Sequence, residues 1–380
     1  MAEWSYAVGD AATVKLYSHR LFVQAIQATK AYRLSMVGGS KDSPDNIVQM
    51  LDETQKTEGD TIYYDLIAKL QAPGVIGDNV LAGNEESLKT YQSSLIINQL
   101  RHAVLPYGAM SQQRVPFSMR DQAKGRLADW WVERLDLSLL NQLCGNTNQT
   151  NTLFTGLQAT VIPSGTAPGG YFVIANNKAQ SGDTVTQAEA RLSTNDNFTI
   201  DLIDQCVAKA HTLTTPIKPI RLKSMEIFGV LFIHPLQTKS LRANFSAGQW
   251  GDIQSSAMQG GQITGNPIFT GAIGMYNNVV IHEDVRVPYG SNSQAVDSNG
   301  FIQYNALGTT NVARGVFVGA QAAVMATGRA YGSDMKMRWF EELLDAGNQL
   351  RITAGLIFGM KKTQFNSTDY ATITVSSYES

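Results

Sequence analysis

Charge is scarce in this chain. Lys, Arg, Asp and Glu make up 16% of its 380 residues, against about a quarter in an ordinary globular protein. A surface with so little charge is easier to keep soluble if much of it is covered in an assembly. Thirty basic side chains face 32 acidic ones, a formal net charge of −2, so there is no global positive field to grip nucleic acid. Cysteine is nearly missing. Cys144 and Cys206 are the only two, and a disulfide between them stays open, but one pair in a chain this long is no disulfide framework. The opening residues MAEWSYAVGDAATVKLYSHR lack a basic stretch followed by an apolar one, so the reducing cytosol is the expected place of synthesis. Long apolar runs are missing too. MEIFGVLFI at 225–233 falls far below the roughly 20 residues a membrane-spanning helix needs, and no membrane contact is expected.

Catalytic signatures are also missing. No G-x-x-x-x-G-K-[ST], no G-x-G-x-x-G after a strand, no G-x-S-x-G and no H-E-x-x-H occurs, which removes the motif-bearing nucleotide, hydrolase and zinc-protease classes. The five histidines show no metal-ligand spacing. Asp297, Asn299 and Gly300 resemble half of a calcium loop without its closing Glu, and read better as a turn. His282, Glu283 and Asp284 form a polar triplet at a strand end. A solvated end or a subunit ion pair outweighs a metal or acid–base role there. N-x-[ST] patterns at Asn148, Asn197, Asn244 and Asn366 are expected by chance in a chain rich in Thr, Ser and Asn. No catalytic residue, metal or cofactor is assigned.

What the chain does have is an organised stretch from Gly59 to Gly145. In GDTIYYDLIAKLQ, Ile62, Tyr64, Leu66, Ala68 and Leu70 fall on one face of a strand, with Thr61, Asp65 and Lys69 on the other. APGVIGDNVLAGNEES follows as a glycine-rich loop, and LKTYQSSLIINQLRHAV reads as a second strand. The pattern predicts a long two-stranded ribbon with an irregular tip. At roughly 3.3 Å per residue its arms reach on the order of 30 Å from their root. An isolated ribbon is marginal in water, and no neighbouring stretch obviously covers this one, so another copy of the chain is a candidate cover.

A long helix comes next. Ser118 with Asp121 three residues on resembles a capping box with a shorter acid. MRDQAKGRLADWWVERLDLSLLNQL contains no proline, and Leu127, Trp131, Leu135 and Leu139 recur every four residues, widened by Trp130, Leu137 and Leu140. Gly145 stands where a C′ residue ends a helix. About 25 residues at 1.5 Å each give a rod of roughly 37 Å. Gly125 costs ~1 kcal/mol against Ala in a helix interior, and is expected to mark close packing.

The rest of the chain alternates strands and loops. A helical patch of Leu16, Leu21, Phe22, Ala25, Ile26 and Leu34 is expected within 12–36, then a break at 38–46 and a second patch from Ile47 to Leu51. Asn146 to Asn197, rich in Asn, Thr, Gly and Ser with the island YFVIA at 171–175, is expected to decorate the main domain as loops and short strands. Thr199 to Leu213 reads as a helix with the stripe Ile200, Ile203, Val207 and Ala210, ended before Pro216. Ser224 to Ile233 reads as a strand buried on both faces, and Pro235 opens a short helix to about Phe245. Asn277-Asn278 suits a tight hairpin turn, since Asn tolerates φ > 0. Val312 to Gly328 is strand or helix by period alone. Leu350 to Phe365 and Ala371 to Ser377 read as closing strands. There is no internal repeat.

A set of ordered blocks carries a resemblance. GD at 59–60, GVIGD at 74–78, AGNEE at 82–86, NQLRHAV at 98–104, MSQQR at 110–114 and LADWW at 127–131 occur in this order. HPLQTKSLR at 234–242, NPIFTGAIGMYNNVVIHE at 266–283, RVP at 286–288, VGAQAA at 318–323 and GNQLRITAGLIFGMKKTQF at 347–365 follow. Together they resemble the major capsid proteins of tailed double-stranded DNA phages, in the podovirus-type branch. The resemblance implies an α+β, HK97-like shell fold. Its parts would be an N-terminal arm at 1–58, an extended loop at 59–114, and a peripheral domain at 115–223 with a spine helix and an insertion near 146–197. A mainly axial domain at 224–308 and return strands of the peripheral domain at 309–380 complete it. The arm is either a pair of surface helices or an extension laid on a neighbour, and is too short to be expected to include a large scaffolding segment.

The same resemblance implies a structural role. Copies would join as hexamers and pentamers into an icosahedral shell that encloses DNA without reading its sequence. The implied partners are the chain itself, a scaffolding protein, a portal and, at most, a decoration protein. The implied location is the virion, after synthesis in the bacterial cytoplasm. Gly77, Asp78, Asn84, Glu85, Glu86, Arg101 and Arg114 are the subunit-interface candidates. Glu85, Glu86, Arg101 and Arg114 are either solvated ribbon edges that deter strand pairing or intersubunit ion pairs. Trp130 and Trp131 with Tyr91 could stack on single-stranded nucleic acid, but their place on the helix favours core packing. Two other classes compete with the shell. A hydrolase or transferase with a dispersed site would need a deep polar pocket with perturbed titratable groups. A nucleic-acid module would need a charge other than −2. Particle formation separates the shell from both.

Overall fold

The structure is a computed structural model that describes residues 28–34, 46–51, 59–67, 70, 72, 74–77, 79–106, 108–213, 216–221, 226–243, 272–290, 305–328 and 337–379. Most of the helical patch expected within 12–36, the half calcium loop at Asp297–Gly300, and Asp78 lie outside the described residues.

In chain order, the short helix α1 (Lys30–Arg33) and strand β1 (Val48–Leu51) precede the ribbon strands β2 (Thr61–Ile67) and β3 (Thr90–Ile96). Then come β4 (Asn98–Val104), α2 (Ala109–Arg114), the long α3 (Met119–Leu143), β5 (Phe172–Ile174), α4 (Val185–Glu189) and α5 (Ile200–Thr212). The middle of the chain holds β6 (Ile220–Arg221), β7 (Glu226–Ile227), β8 (Gly229–Ile233), α6 (Pro235–Ala243), β9 (Gly274–Tyr276) and β10 (Val279–Glu283). It closes with β11 (Val312–Val318), β12 (Ala323–Thr327), β13 (Met337–Leu344), β14 (Gln349–Lys362), β15 (Gln364–Phe365), β16 (Thr368–Asp369) and β17 (Thr372–Tyr378).

Two sheets organise these elements. One has six strands in the order β5-β17-β11-β8-β10-β9. The other has five, β1-β12-β14-β13 with β4 also on β14. The 14-residue β14 is the axis of the second sheet and pairs antiparallel with β12, β13 and β4 along its length. The strands of 309–380, expected to return to one domain, divide between the sheets. β11 and β17 lie in the six-stranded sheet beside β8, and β12 to β14 in the other. The stretch from Val312 that periodicity left ambiguous is extended, broken between β11 and β12 where Gln321 takes φ 61°. Asn277 and Asn278, at φ 46° and 62°, make the expected tight turn between β9 and β10.

Helix α3 has its expected span and caps. The Ser118 hydroxyl accepts the Asp121 N–H at 3.3 Å. At the far end Gly145 takes φ 61°, and a Cβ there would meet Val161 O at 2.7 Å, so only glycine turns the chain at this point. Leu127, Trp131, Leu135 and Leu139 are buried and face β14, with Trp131 edge-on to Phe358 at 6.4 Å between ring centroids. Gly125 departs from expectation. It sits on the exposed side, and a Cβ there would meet nothing within 4 Å, so no intrachain packing explains it. In α5 the buried stripe is Leu202, Ile203, Cys206 and Ala210, rotated from the expected one because the helix packs toward β5 and β17.

The segment 146–197 does more than decorate. Its YFVIA island supplies β5, parallel to β17, and Phe172, Ile174, Val185 and Ala188 form their own buried cluster. Its Glu189 carries a buried ion pair. Both Glu189 oxygens accept from the Arg314 guanidinium, at 2.7 and 2.6 Å. Ser376 donates to the same carboxylate, and Arg314 Nη1 donates to the carbonyls of Cys144 and Gly145 at 3.3 and 2.9 Å. A bidentate pair with its remaining donors satisfied is the geometry in which burial of charge is tolerated. Two further ties follow the same pattern. Lys362 meets Asp369 at 2.9 Å, both fully buried, and Arg120 forks onto Glu341, which also accepts from Trp339 Nε1 at 2.8 Å. Cys144 and Cys206 are free and buried, so no disulfide joins them. Burial pushes the Cys144 thiol up to about 12 and raises that of Cys206 as well, which keeps both protonated and unreactive.

Two substitutions test this packing. Arg314→Ala leaves the Glu189 carboxylate unpaired in the core and lowers unfolding stability by about 3–5 kcal/mol, read as a fall in the urea midpoint. Gly125→Ala raises stability by about 1 kcal/mol, because the added methyl meets open space in the subunit.

Candidate assembly surface

The ribbon has a covered root and a bare tip. Ile62 and Leu95 pair across β2 and β3 and pack with Leu51, Val324 and Ala326 in a separate buried cluster. Tyr64 stands edge-on to Phe365 at 5.7 Å, and Lys361 Nζ donates to Ser94 O at 3.1 Å. The expectation that nothing in the chain covers the ribbon is therefore corrected for its root. The second strand is corrected as well. It breaks at Ile97, and its latter half, β4, joins β14 in the five-stranded sheet instead of extending the ribbon. The expected alternation holds, with Ile62, Tyr64 and Leu66 turned inward and Tyr63, Asp65 and Ile67 outward.

Beyond Leu66 the cover ends. Ile76 is 84% exposed, Val80 70%, and Leu81 and Leu88 about as open. Of the 18 large apolar side chains exposed among the described residues, nine lie on the ribbon between Tyr63 and Ile96. Scattered exposed apolar residues are ordinary, but concentration on one projecting element marks an interaction surface.

The sequence-derived candidates sit on this element in two groups. Gly77 takes φ 66° at the tip. Asn84 turns the chain, its N–H donating to Leu81 O and its Nδ2 to Val80 O, both at 2.9 Å. Glu85 accepts the Gly83 N–H and Glu86 the Ala72 N–H, both at 2.7 Å. These carboxylates first fold the tip onto itself, a role that sequence reading missed because it depends on a loop with no period. Arg101 lies elsewhere, exposed on β4 opposite Gly355, and Arg114 ends α2. Neither arginine forms an ion pair with a described residue.

The remaining sequence candidates resolve as structure. Trp131 is fully buried. Trp130 stacks on His102 at 4.3 Å and meets Trp131 edge-on at 5.1 Å, so the pair packs the helix against β4. In the polar triplet His282 is buried. Asp284 binds Lys30 at 3.0 Å and Arg286 at 3.5 Å. Asp136 of α3 accepts the Lys30 backbone N–H on both oxygens, at 3.0 and 2.9 Å, and meets Arg286 at 3.4 Å. This cluster clasps α1 to the subunit. The three segments it joins, at Lys30, Asp136 and Asp284, lie more than 100 residues apart, beyond any local motif. Among the described residues no group of three or more His, Cys, Asp or Glu is placed to hold a metal, and no helix is long and apolar enough to cross a membrane.

The split between root and tip is measurable by hydrogen exchange. Root amides around Ile62 and Leu95 exchange slowly in the isolated subunit, whereas tip amides from 74 to 88 exchange close to unfolded-chain rates. In an assembled form the tip amides become protected. Equal tip protection in both forms overturns the reading of the tip as a contact surface.

Comparison with known proteins agrees with this picture. A family model described as phage capsid protein matches residues 5–380. The chain is 26% identical over 351 residues, 90% of its length and 87% of the relative's, to the major capsid protein of Pseudomonas phage KPP25. The capsid of Ralstonia phage GP4 has a similar structure, with a TM-score of 0.72 and 25% identity over 93% of this chain and 92% of that one. The capsid subunit of cyanophage Pam1 shares the fold at a TM-score of 0.64 and 16% identity, over 92% and 93% of the two chains. With a matched family model along nearly its whole length and a tailed-phage shell fold, the chain belongs to the phage capsid protein family.

Proposed function

We propose that this major capsid protein joins as hexamers and pentamers into a closed icosahedral shell around double-stranded DNA, and that the ribbon is the arm by which one copy holds the next. The exposed apolar tip of the ribbon carries the proposal. An arm that reaches onto a different patch of a neighbour makes a head-to-tail contact, and such contacts close into rings when the rotation allows. Two ring sizes let a flat lattice of rings curve shut.

In this reading residues 1–58 are an arm laid on a neighbour, with α1 clasped to its own subunit through Lys30. Residues 59–114 are the extended loop, 115–223 the peripheral part built on α3, and 224–308 the part turned toward the ring axis. Residues 309–380 return through both sheets and join the two parts. Gly77, Asp78, Asn84, Glu85, Glu86, Arg101 and Arg114 lie at subunit contacts. A scaffolding protein sets the curvature, a portal occupies one vertex, and a decoration protein has the outer surface available. The DNA is enclosed without base readout. The near-balanced net charge of −2 suits enclosure better than tight electrostatic grip.

Electron microscopy of the expressed chain, alone and with its scaffolding protein, tests the proposal. Closed particles with five- and six-fold rings are the expected outcome. A chain that stays monomeric with scaffold present overturns it.

A further inference from the structure

We infer that the cavity between the ribbon root and the body holds a single nucleotide, with its base against a wall of aromatic rings and its phosphate on Lys218. The cavity measures about 420 Å³, within the roughly 300–1,000 Å³ of small-molecule sites, so it takes one nucleotide and not a duplex. It lies within one subunit and does not depend on assembly. Three rings form the wall. Tyr64 stands edge-on to Phe365 at 5.7 Å between centroids, and Phe365 edge-on to Tyr370 at 5.6 Å. All three line the cavity. Strand β2 supplies the first, and the chain around β15 and β16 the other two. A planar base packs on such a wall in the offset or edge-to-face manner of an aromatic pair.

The polar side chains of the cavity divide between its two sides. Lys218 and Gln321 lie together on the body, because the Lys218 carbonyl accepts the Ala320 N–H at 3.1 Å and Gln321 is the next residue. Asp65 belongs to the ribbon strand β2. Among the described residues none of these three side chains has a hydrogen-bond or ionic partner. An ammonium is a point charge suited to phosphate, and the Gln321 amide adds a donor for the same group. The Asp65 carboxylate only accepts, so it meets an exocyclic amine, as acids meet cytosine N4. The ligand class is therefore a nucleotide whose base carries an amine, adenine or cytosine. A single lysine at a formed cavity is enough for it, so the net charge of −2, which disfavours a grip on duplex DNA, does not oppose it. Tyr64 and Asp65 belong to the ribbon and the other side chains to the body, so a bound nucleotide ties one to the other. Two sources supply this chemistry, the cytosolic nucleotide pool and a single strand of DNA.

Titration calorimetry of the full chain with dAMP, as subunit or particle, tests the site. Lys218→Gln is expected to weaken dAMP about tenfold, the contribution of one hydrogen bond to a charged group. Deoxyadenosine, which has no phosphate, is expected to bind the parent and this variant alike. Asp65→Ala is expected to weaken dAMP but not dTMP, whose base has no exocyclic amine. Both residues are exposed, so neither substitution removes a core contact, and circular dichroism checks the fold of each variant. At about ten times its dissociation constant, dAMP is expected to slow hydrogen exchange from Ile62 to Leu66 about tenfold. A single-stranded oligonucleotide separates the sources. Competition with dAMP assigns the site to a DNA strand, and failure to compete assigns it to the free nucleotide. No binding of dAMP at millimolar concentration overturns the inference, as does equal affinity in Lys218→Gln or unchanged exchange at the ribbon root. Binding of tryptophan in place of dAMP overturns it in favour of an aromatic amino acid.

Discussion

The guanidinium of Arg314 is the point on which the rest of the subunit hangs. It binds Glu189 with two hydrogen bonds and the last carbonyls of the turn after α3 with a third nitrogen. It thereby fixes a 25-residue helix to β11, to the segment 146–197 and, through Ser376, to β17. A cation at a helix C-terminus is favourable on its own account. Here it also fixes direction, because a forked donor has only one orientation that satisfies both a carboxylate and two carbonyls. From this point a chain of side-chain bonds runs to the ribbon. Gln142 on α3 donates to the Gln158 carbonyl, and Gln158 in turn donates to Ile96 O at the ribbon root. The angle at which the ribbon leaves the body is set by these polar bonds as well as by apolar packing.

This arrangement gives one chain two kinds of stability. The two sheets and α3 share a continuous apolar core, and the ribbon root is seated on it through Leu51, Val324 and Ala326. Among the described residues the tip has no sheet neighbour, and its large apolar side chains are exposed. Cooperative units of unequal stability are expected wherever binding elements extend from a rigid body. A shell subunit benefits from both. The body must not deform when load passes through it, while an exposed tip can conform to whatever it meets in the shell.

Much of the fold was legible because its signals are local. The α3 stripe, the Ser118 cap and the Gly145 stop, the ribbon alternation and the Asn277-Asn278 turn all rest on residues within a few positions of one another. What was not legible depends on distance. Glu189 sits in a Thr- and Ala-rich helix with nothing around it to suggest burial, and its partner lies 125 residues away. The break at Ile97 leaves no mark in a run of strand-forming residues. It follows from β14, more than 250 residues later, capturing β4. Gly125 misled for the converse reason, since glycine in a helix has several causes and close packing is only one. For the assembly surface, the ribbon and its acidic tip were readable.

The scarcity of charge takes on a sharper meaning once its placement is known. Eight acidic side chains are buried among the described residues, and seven of them pair with a base, several across more than 100 residues. The eighth, Glu379, is met by the Phe198 N–H and the Ser240 and Ser377 hydroxyls, and burial raises its carboxyl above the ordinary range. A chain with only 16% charged residues therefore commits a good part of them to holding its own segments together. The outer surface is left poorer in charge than composition alone suggests. On such a surface the few charges that remain outside dominate the choice of contact, since neutral surroundings offer little competing attraction or repulsion. An uncharged body can approach copies of itself in many ways, and a small number of placed acids and arginines is enough to select among them.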